Sequence, residues 1–277
     1  MRRVVGYELR IASIIGVRGF QASVSGLAMY IVATIGCLMS SQVTKMCLGV
    51  IRENGLVTLF DPLSSPVFVA AVVAALYLSI VSSLAVARDR DSGAMEVLFY
   101  GPVNEASYIV GKYIAQMLVC GAILGFYTMV IPLQGILVGL GESGRLWLIL
   151  LVVLGGISAA ISLGILVSSG LRSPRSSVAT MVGVLIVLLV IQGAYDMLDG
   201  ANLASLPAAI SYALPLISAV GKVSKYLSPF GYMSWGMNAL ARGDILGYAG
   251  FLLTSLAYSV TLLALAVACI ERKGVKA

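Results

Sequence analysis

Uncharged residues come in long blocks along this chain. Gly19–Ser40, Val67–Ala87, Tyr113–Leu133, Leu146–Leu166, Val178–Ala194 and Leu246–Ile270 contain no Asp, Glu, Lys or Arg. A helix rises about 1.5 Å per residue and needs about 20 residues to cross a hydrocarbon core about 30 Å thick. Each block is therefore expected to be a membrane span. The pattern predicts an all-α membrane protein, one domain over residues 1–277, with six transmembrane helices. Before the first span, Val4, Tyr7, Ile11, Ile14 and Ile15 recur at helical spacing beside Arg3 and Arg10. Residues 1–18 are thus expected to form an amphipathic helix along the membrane surface. Residues 196–244 are expected to form a helical outer loop before the last span. Within that loop, residues 203–221 are also apolar, but Pro207 and Pro215 interrupt them. A helical hairpin dipping into the outer leaflet suits them better than a seventh span, because broken backbone is tolerated where protein or water covers it.

Charge sets the orientation. With the N-terminus inside, twelve Lys and Arg fall on the inner side and six on the outer. This bias places both termini in the cytoplasm of a multi-pass protein of the plasma or inner membrane. A seventh span would move Arg272, Lys273 and Lys276 outside, against the same rule. The first span is expected to be retained, since no small-residue cleavage site follows a short apolar core. The chain is 60% hydrophobic and 11% charged, whereas soluble domains carry about 25% charge. The net charge of +6 comes from residues flanking the spans, so nucleic acid is not an expected partner and membrane lipid is. Four cysteines lack metal or redox spacing. Only Cys37 and Cys47 could meet on the outer side.

Residues 88–107 form the richest polar segment. The run Arg88-Asp-Arg-Asp-Ser-Gly-Ala-Met-Glu-Val-Leu-Phe-Tyr-Gly-Pro102 is expected to end the second span at its charges. A short helix should follow, capped by Asp91 or Ser92 and stopped by Gly101-Pro102. It would carry Met95, Leu98 and Phe99 on one apolar side that calls for a partner.

This run, extended to Lys112, resembles the signature loop of type-2 ATP-binding-cassette (ABC) transporter permeases. There an acidic-basic cluster precedes Gly-Thr-Leu-Glu, an apolar pair, Pro-Val and a Gly-Lys entering the next span. The matching residues are Asp91, Gly93, Glu96, Val97, Leu98, Pro102, Val103, Gly111 and Lys112. Leu227-Ser-Pro-Phe230, Ala241-Arg-Gly-Asp244 and Glu271-Arg-Lys273 resemble the subgroup of gliding-motility and nitrous-oxide-reductase-maturation permeases. The sequence departs from the pattern at Ala94, where Thr is usual, and at Glu105, where a basic residue is common. The resemblance implies that the loop is a coupling helix docking on a separate ATPase subunit through Asp89, Asp91, Gly93, Met95, Glu96, Leu98 and Phe99. It further implies two ATPase subunits, which would bind ATP and Mg, and a second permease as homodimer or heterodimer. A helical outer segment would form an external gate.

Enzyme chemistry fails on inventory. Without histidine there is no Ser-His dyad and no imidazole metal ligand. Gly111-Lys112 and Gly221-Lys222 are followed by Tyr113 and Val223 rather than Ser or Thr, so no phosphate-binding loop is present. The chain is expected to hold no cofactor and no catalytic residue. A cation-coupled carrier usually needs a carboxylate within a span, and the nearest, Asp196, lies at a span end beside Asp199. Gln116, Thr128, Gln192, Ser255 and Tyr258 are candidates for a substrate path. Such groups, with Ser158 and Ser162, equally serve helix packing, as does Gly121-xxx-Gly125 within this chain or between copies. Pro132 is expected to kink or end the third span. The reading is a permease subunit of an ABC exporter. Two alternatives stay open: an ion-coupled transporter or channel, and an ABC-type assembly that passes force or a signal to an outer partner.

Overall fold

The computed structural model describes residues 2–54, 63–101, 103–138, 144–200 and 227–273. Among them are α1 (Arg2–Val24), α2 (Leu27–Asn54), α3 (Ser64–Asp91), α4 (Ala94–Tyr100), α5 (Glu105–Leu137), α6 (Leu146–Gly170), α7 (Pro174–Gly200), α8 (Pro229–Arg242) and α9 (Ile245–Lys273). The described residues contain no strand. Six helices, α2, α3, α5, α6, α7 and α9, are long and apolar enough to cross a membrane. The hairpin expected at 203–221, with Pro207 and Pro215, lies outside the described residues.

Helices α3 and α6 form the centre. Both run the same way: Ser64 and Ile149 border one cavity at their starts, and Arg90 meets Leu171 at their ends. Small residues let them approach. Ala70, Ala71, Ala74, Ala75, Ser79, Ser82 and Ser83 on α3 are buried, as are Gly156, Ala159, Ala160 and Gly164 on α6. In lipid there is no hydrophobic drive between helices, so close backbone packing and hydrogen bonds must hold them. Two serine side chains make such bonds to α3 at one level, one from α6 and one from α7. The Ser168 hydroxyl accepts from the backbone N–H groups of Val86 (3.1 Å) and Ala87 (2.9 Å). Ser177 on α7 donates to the Ser83 carbonyl at 2.6 Å.

Several boundaries differ from expectation. The first span is Leu27–Gly49, not Gly19–Ser40. Residues 19–24 belong to α1, which continues past residue 18, and the chain breaks at Ser25-Gly26. Their apolarity serves protein contact, because Gly16 and Gly19 lie against Ile114 and Ala115 of α5. The second span ends at its charge run as expected, with α3 including the charges at 88–91 as its last turn. Pro132 does not end α5, which runs on to Leu137. Among the described residues, neither Gly121 nor Gly125 has another group within reach of an added Cβ, so that pair makes no close helix contact there. All four cysteines are free thiols, so Cys37 and Cys47 are not paired.

The subgroup-like motifs build helix ends. The Ser228 side chain accepts from the Gly231 N–H at the head of α8, Pro229 occupies its first turn, and Gly243 ends it in the left-handed region at φ 70°. Asp244 then accepts from the Gly247 N–H (3.0 Å) to start α9. Each is a standard way to satisfy the free groups of a helix end.

Candidate functional site

At one end of the bundle α3 and α6 finish, α5 and α7 begin, and α4 lies across the junction. Gly93 makes the turn possible. Its φ of 71° is left-handed, which costs a residue with a Cβ about 1–2 kcal/mol. The Ser92 and Gly93 N–H groups return to the carbonyls of Arg88 and Arg90, closing α3. Neither Asp91 nor Ser92 caps α4, contrary to expectation. The N-cap is Gly93, and the Ser92 hydroxyl donates to the Asp89 carbonyl instead.

The apolar side of α4 is partly covered by its own chain. Met95 is buried at 4% exposure, and Leu98 and Phe99 pack partly buried beside the core. Phe99 meets the Tyr108 ring edge-on at 5.8 Å. Met95 is therefore covered within the chain, while Leu98 and Phe99 keep part of their surface exposed. What α4 turns outward is Glu96, Val97 at 73% exposure and Tyr100 at 90%. Asp91 is exposed as well.

Asp89 also turns inward. It forms an ion pair with Lys112 at 2.6 Å and accepts from the Tyr108 hydroxyl at 2.7 Å. Lys112 stands 5.5 Å from the centre of the Tyr108 ring. Arg90 donates to the carbonyls of Leu171 (3.0 Å) and Ser169 (3.4 Å), satisfying carbonyls that the end of α6 leaves free. Of the seven candidate contacts, then, Asp91 and Glu96 face solvent. Asp89, Met95, Leu98 and Phe99 hold the junction together, and Gly93 shapes its turn. Val97 and Tyr100 were missed. Their signal was the far side of the same short helix.

The structure does not bring the five path candidates together. Gln116 is buried on α5, and its side-chain oxygen has no hydrogen-bond partner. Ser255 is buried on α9 and donates to the Leu252 carbonyl. Both lie about one turn from a chain of hydroxyls joining three helices: Tyr113 to Ser158 at 2.7 Å, and Ser158 to Ser259 at 2.9 Å. Ser162 donates to the Ser158 carbonyl. Thr128 bonds locally to the Gly125 carbonyl, and Gln192 is buried on α7. Tyr258 braces α8, donating to the Leu227 carbonyl at 2.7 Å with its ring 5.2 Å from that of Tyr232. The side chains of Asp196 and Asp199 lie outside the described residues. Among the described residues no cluster could hold a metal ion. A cavity of about 310 Å³ lies at the opposite end of the bundle from α4, between α3, α6 and α8, and none of the five lines it.

No curated protein matches the sequence. The sequence pattern of the ABC-2 family transporter proteins matches residues 11–275, nearly the whole chain, from α1 through α9. A multi-pass helical bundle with a short helix clamped across one end, matched over that length, belongs to the ABC-2 family of transporter membrane proteins.

Proposed function

We propose that this permease couples ATP hydrolysis by separate ATPase subunits to export, with α4 as the docking element. The observation that carries the reading is the outward side of α4. Val97 and Tyr100 lie bare next to Glu96, on an element beyond the ends of the spans. An acidic residue flanking two apolar ones suits a groove with basic rims and an apolar floor. Here the docking set is Asp91, Glu96, Val97 and Tyr100, while Asp89, Met95, Leu98 and Phe99 pass the load inward. The positive-inside bias supports a cytoplasmic position for α4 and for both termini of a protein in the plasma or inner membrane.

The complex would hold two ATPase subunits, with ATP and Mg bound there, and a second permease as homodimer or heterodimer. Gly121 and Gly125 support such pairing, since both are exposed on α5 with open space around them. ATP would favour one conformation by binding it more tightly, since a ligand shifts an equilibrium only by its differential affinity. The capped α8–α9 corner supports the gliding-motility and nitrous-oxide-reductase-maturation subgroup, where a helical outer segment acts as gate. Export is favoured by the short far-side loops before residue 196.

Co-purification tests this. Glu96→Lys and Val97→Asp should each reduce recovery of the ATPase with the tagged permease while membrane insertion stays intact. Normal recovery with both substitutions would refute the docking role.

A further inference from the structure

The cavity of about 310 Å³ at the far end has no part in the docking reading. Its walls are mainly apolar, with Phe68 and Val69 from α3 and Met237 from α8 beside the half-buried Ser64 and Ser234; the exposed residues Ser65, Arg145 and Asn238 rim it. Sites for small molecules span roughly 300–1,000 Å³, so this one is ligand-sized. A water-sized group takes about 30 Å³. The cavity therefore holds roughly ten methylene-sized groups, which is one medium acyl chain and not two.

The charge at the mouth narrows the choice. Arg145 carries a guanidinium charge and five donors in a planar fork. One of them reaches the Leu240 carbonyl in a long 3.4 Å contact, and among the described residues Arg145 has no carboxylate partner. A soluble polar anion would meet the cation but gain nothing from the apolar walls. A neutral lipid would fill the walls but leave the guanidinium unanswered. Burying an acyl chain yields about 25 cal/mol per Å², and a carboxylate or phosphate on arginine adds charge-assisted bonds.

We propose that this cavity binds a single-chain amphiphile with a carboxylate or phosphate head, the head on Arg145 and Asn238 and the chain against Phe68, Val69 and Met237. The two anions share the recognition chemistry, and binding does not depend on how α4 docks.

The chain carries its own reporters. Its two tryptophans, Trp147 on α6 and Trp235 on α8, stand within two residues of Arg145 and Met237 in sequence. The full chain, in nanodiscs of phosphatidylcholine, is titrated with bromododecanoate, bromododecyl phosphate, bromododecanol and bromododecyl trimethylammonium. Bromine quenches tryptophan fluorescence on contact. We expect saturable quenching by one or both anions, about tenfold tighter than by the alcohol, and the tighter anion names the head group. Arg145→Gln should bring the anions to the level of the alcohol. Val69→Phe, which keeps the charge and fills the slot, should abolish saturation. Equal quenching by all four compounds in the unmodified chain means partition into the bilayer and overturns the proposal; that comparison needs no variant to fold. Unchanged anion binding in Arg145→Gln overturns it equally.

Discussion

Asp89→Asn is the sharpest test of the junction beneath α4. The substitution keeps shape and removes charge. Asp89 and Lys112 are each about one-fifth exposed, so their pairing is only partly screened by water. An exposed ion pair contributes at most about 1 kcal/mol. The Tyr108 hydroxyl adds a charge-assisted bond, worth about 1.5–3 kcal/mol against about 1 for a neutral one. Asparagine still offers an oxygen to Tyr108, so the loss is about 2 kcal/mol in total. Asp89→Ala should cost more, about 3–4 kcal/mol, because it leaves the hydroxyl of a fully buried tyrosine without its acceptor. The assay is a double-mutant cycle with Lys112→Met, read as reversible unfolding of the purified permease in mixed micelles. The single changes should not add, and a coupling of about 1 kcal/mol is expected. In the assembled complex the same variants should bind ATPase normally yet lose transport per ATP, since Asp89 faces inward. Additivity within about 0.3 kcal/mol would refute the claim that the pair binds α3 to α5. Loss of ATPase binding in Asp89→Asn would instead put Asp89 at the interface.

Two further substitutions test the packing. A Cβ on Gly164 would collide with the Ser82 hydroxyl and come within 2.5 Å of the Ser79 carbonyl oxygen on α3; Gly164→Ala should therefore lower folded yield strongly in size-exclusion chromatography, whereas Gly121→Ala, with open space around it, should leave the folded monomer unchanged. Gly93→Ala should destabilise the α3–α4 turn by about 1 kcal/mol and speed amide exchange in 94–100 by about fivefold, and unchanged exchange would show that the left-handed turn carries no strain.

The spans were legible because a bilayer imposes one requirement, about 20 uncharged residues in a helix; four of the six blocks match their helices within about a turn, while the third begins eight residues after α5 does, because α5 carries Glu105 and Lys112 in its first turns. The first was displaced because hydropathy does not distinguish residues that face lipid from those that pack on a neighbouring helix; Gly16 and Gly19 belong to the second class. The short helix at 94–100 was legible from its turn residues. Its orientation was not. Met95, Leu98 and Phe99 share a side in any helix, but only the position of Tyr108, some ten residues on, decides whether that side meets a partner or the chain itself. The Asp89–Lys112 pair left a faint trace, a lone cation entering one span opposite an acidic residue leaving another. Arg145 left none, since α8 supplies the facing wall of its cavity and lies more than 80 residues away.

These contacts also constrain how motion can travel. The last turns of α3 are held by four separate attachments: Asp89 to α5, Arg90 and the backbone at 86–87 to α6, and the Ser83 carbonyl to α7. A push on α4 therefore cannot shift the end of α3 alone without breaking several bonds of about 1 kcal/mol each. Moving α3 and α6 together breaks none of the α3–α6 bonds. At the far end this pair forms two walls of the cavity, while the third wall, α8, is tied to α9 through Tyr258. The α8 helix also touches α6 through Met233, which fills the space beside Gly156. That contact ends in a flexible thioether side chain, so it yields more readily than the α3–α6 seam. Since α6 is also joined to α9, through Ser158–Ser259 and the Tyr248 bond to the Leu148 carbonyl, the proposed lever should change the width of the cavity between α3 and α8 rather than part α6 from α9. Cross-linking cysteines placed at Ser65 and Asn238 should then respond to nucleotide in the assembled complex, while a pair placed across the α3–α6 seam should not. A response at the seam, with the cavity pair silent, would show that the rigid unit has been drawn in the wrong place.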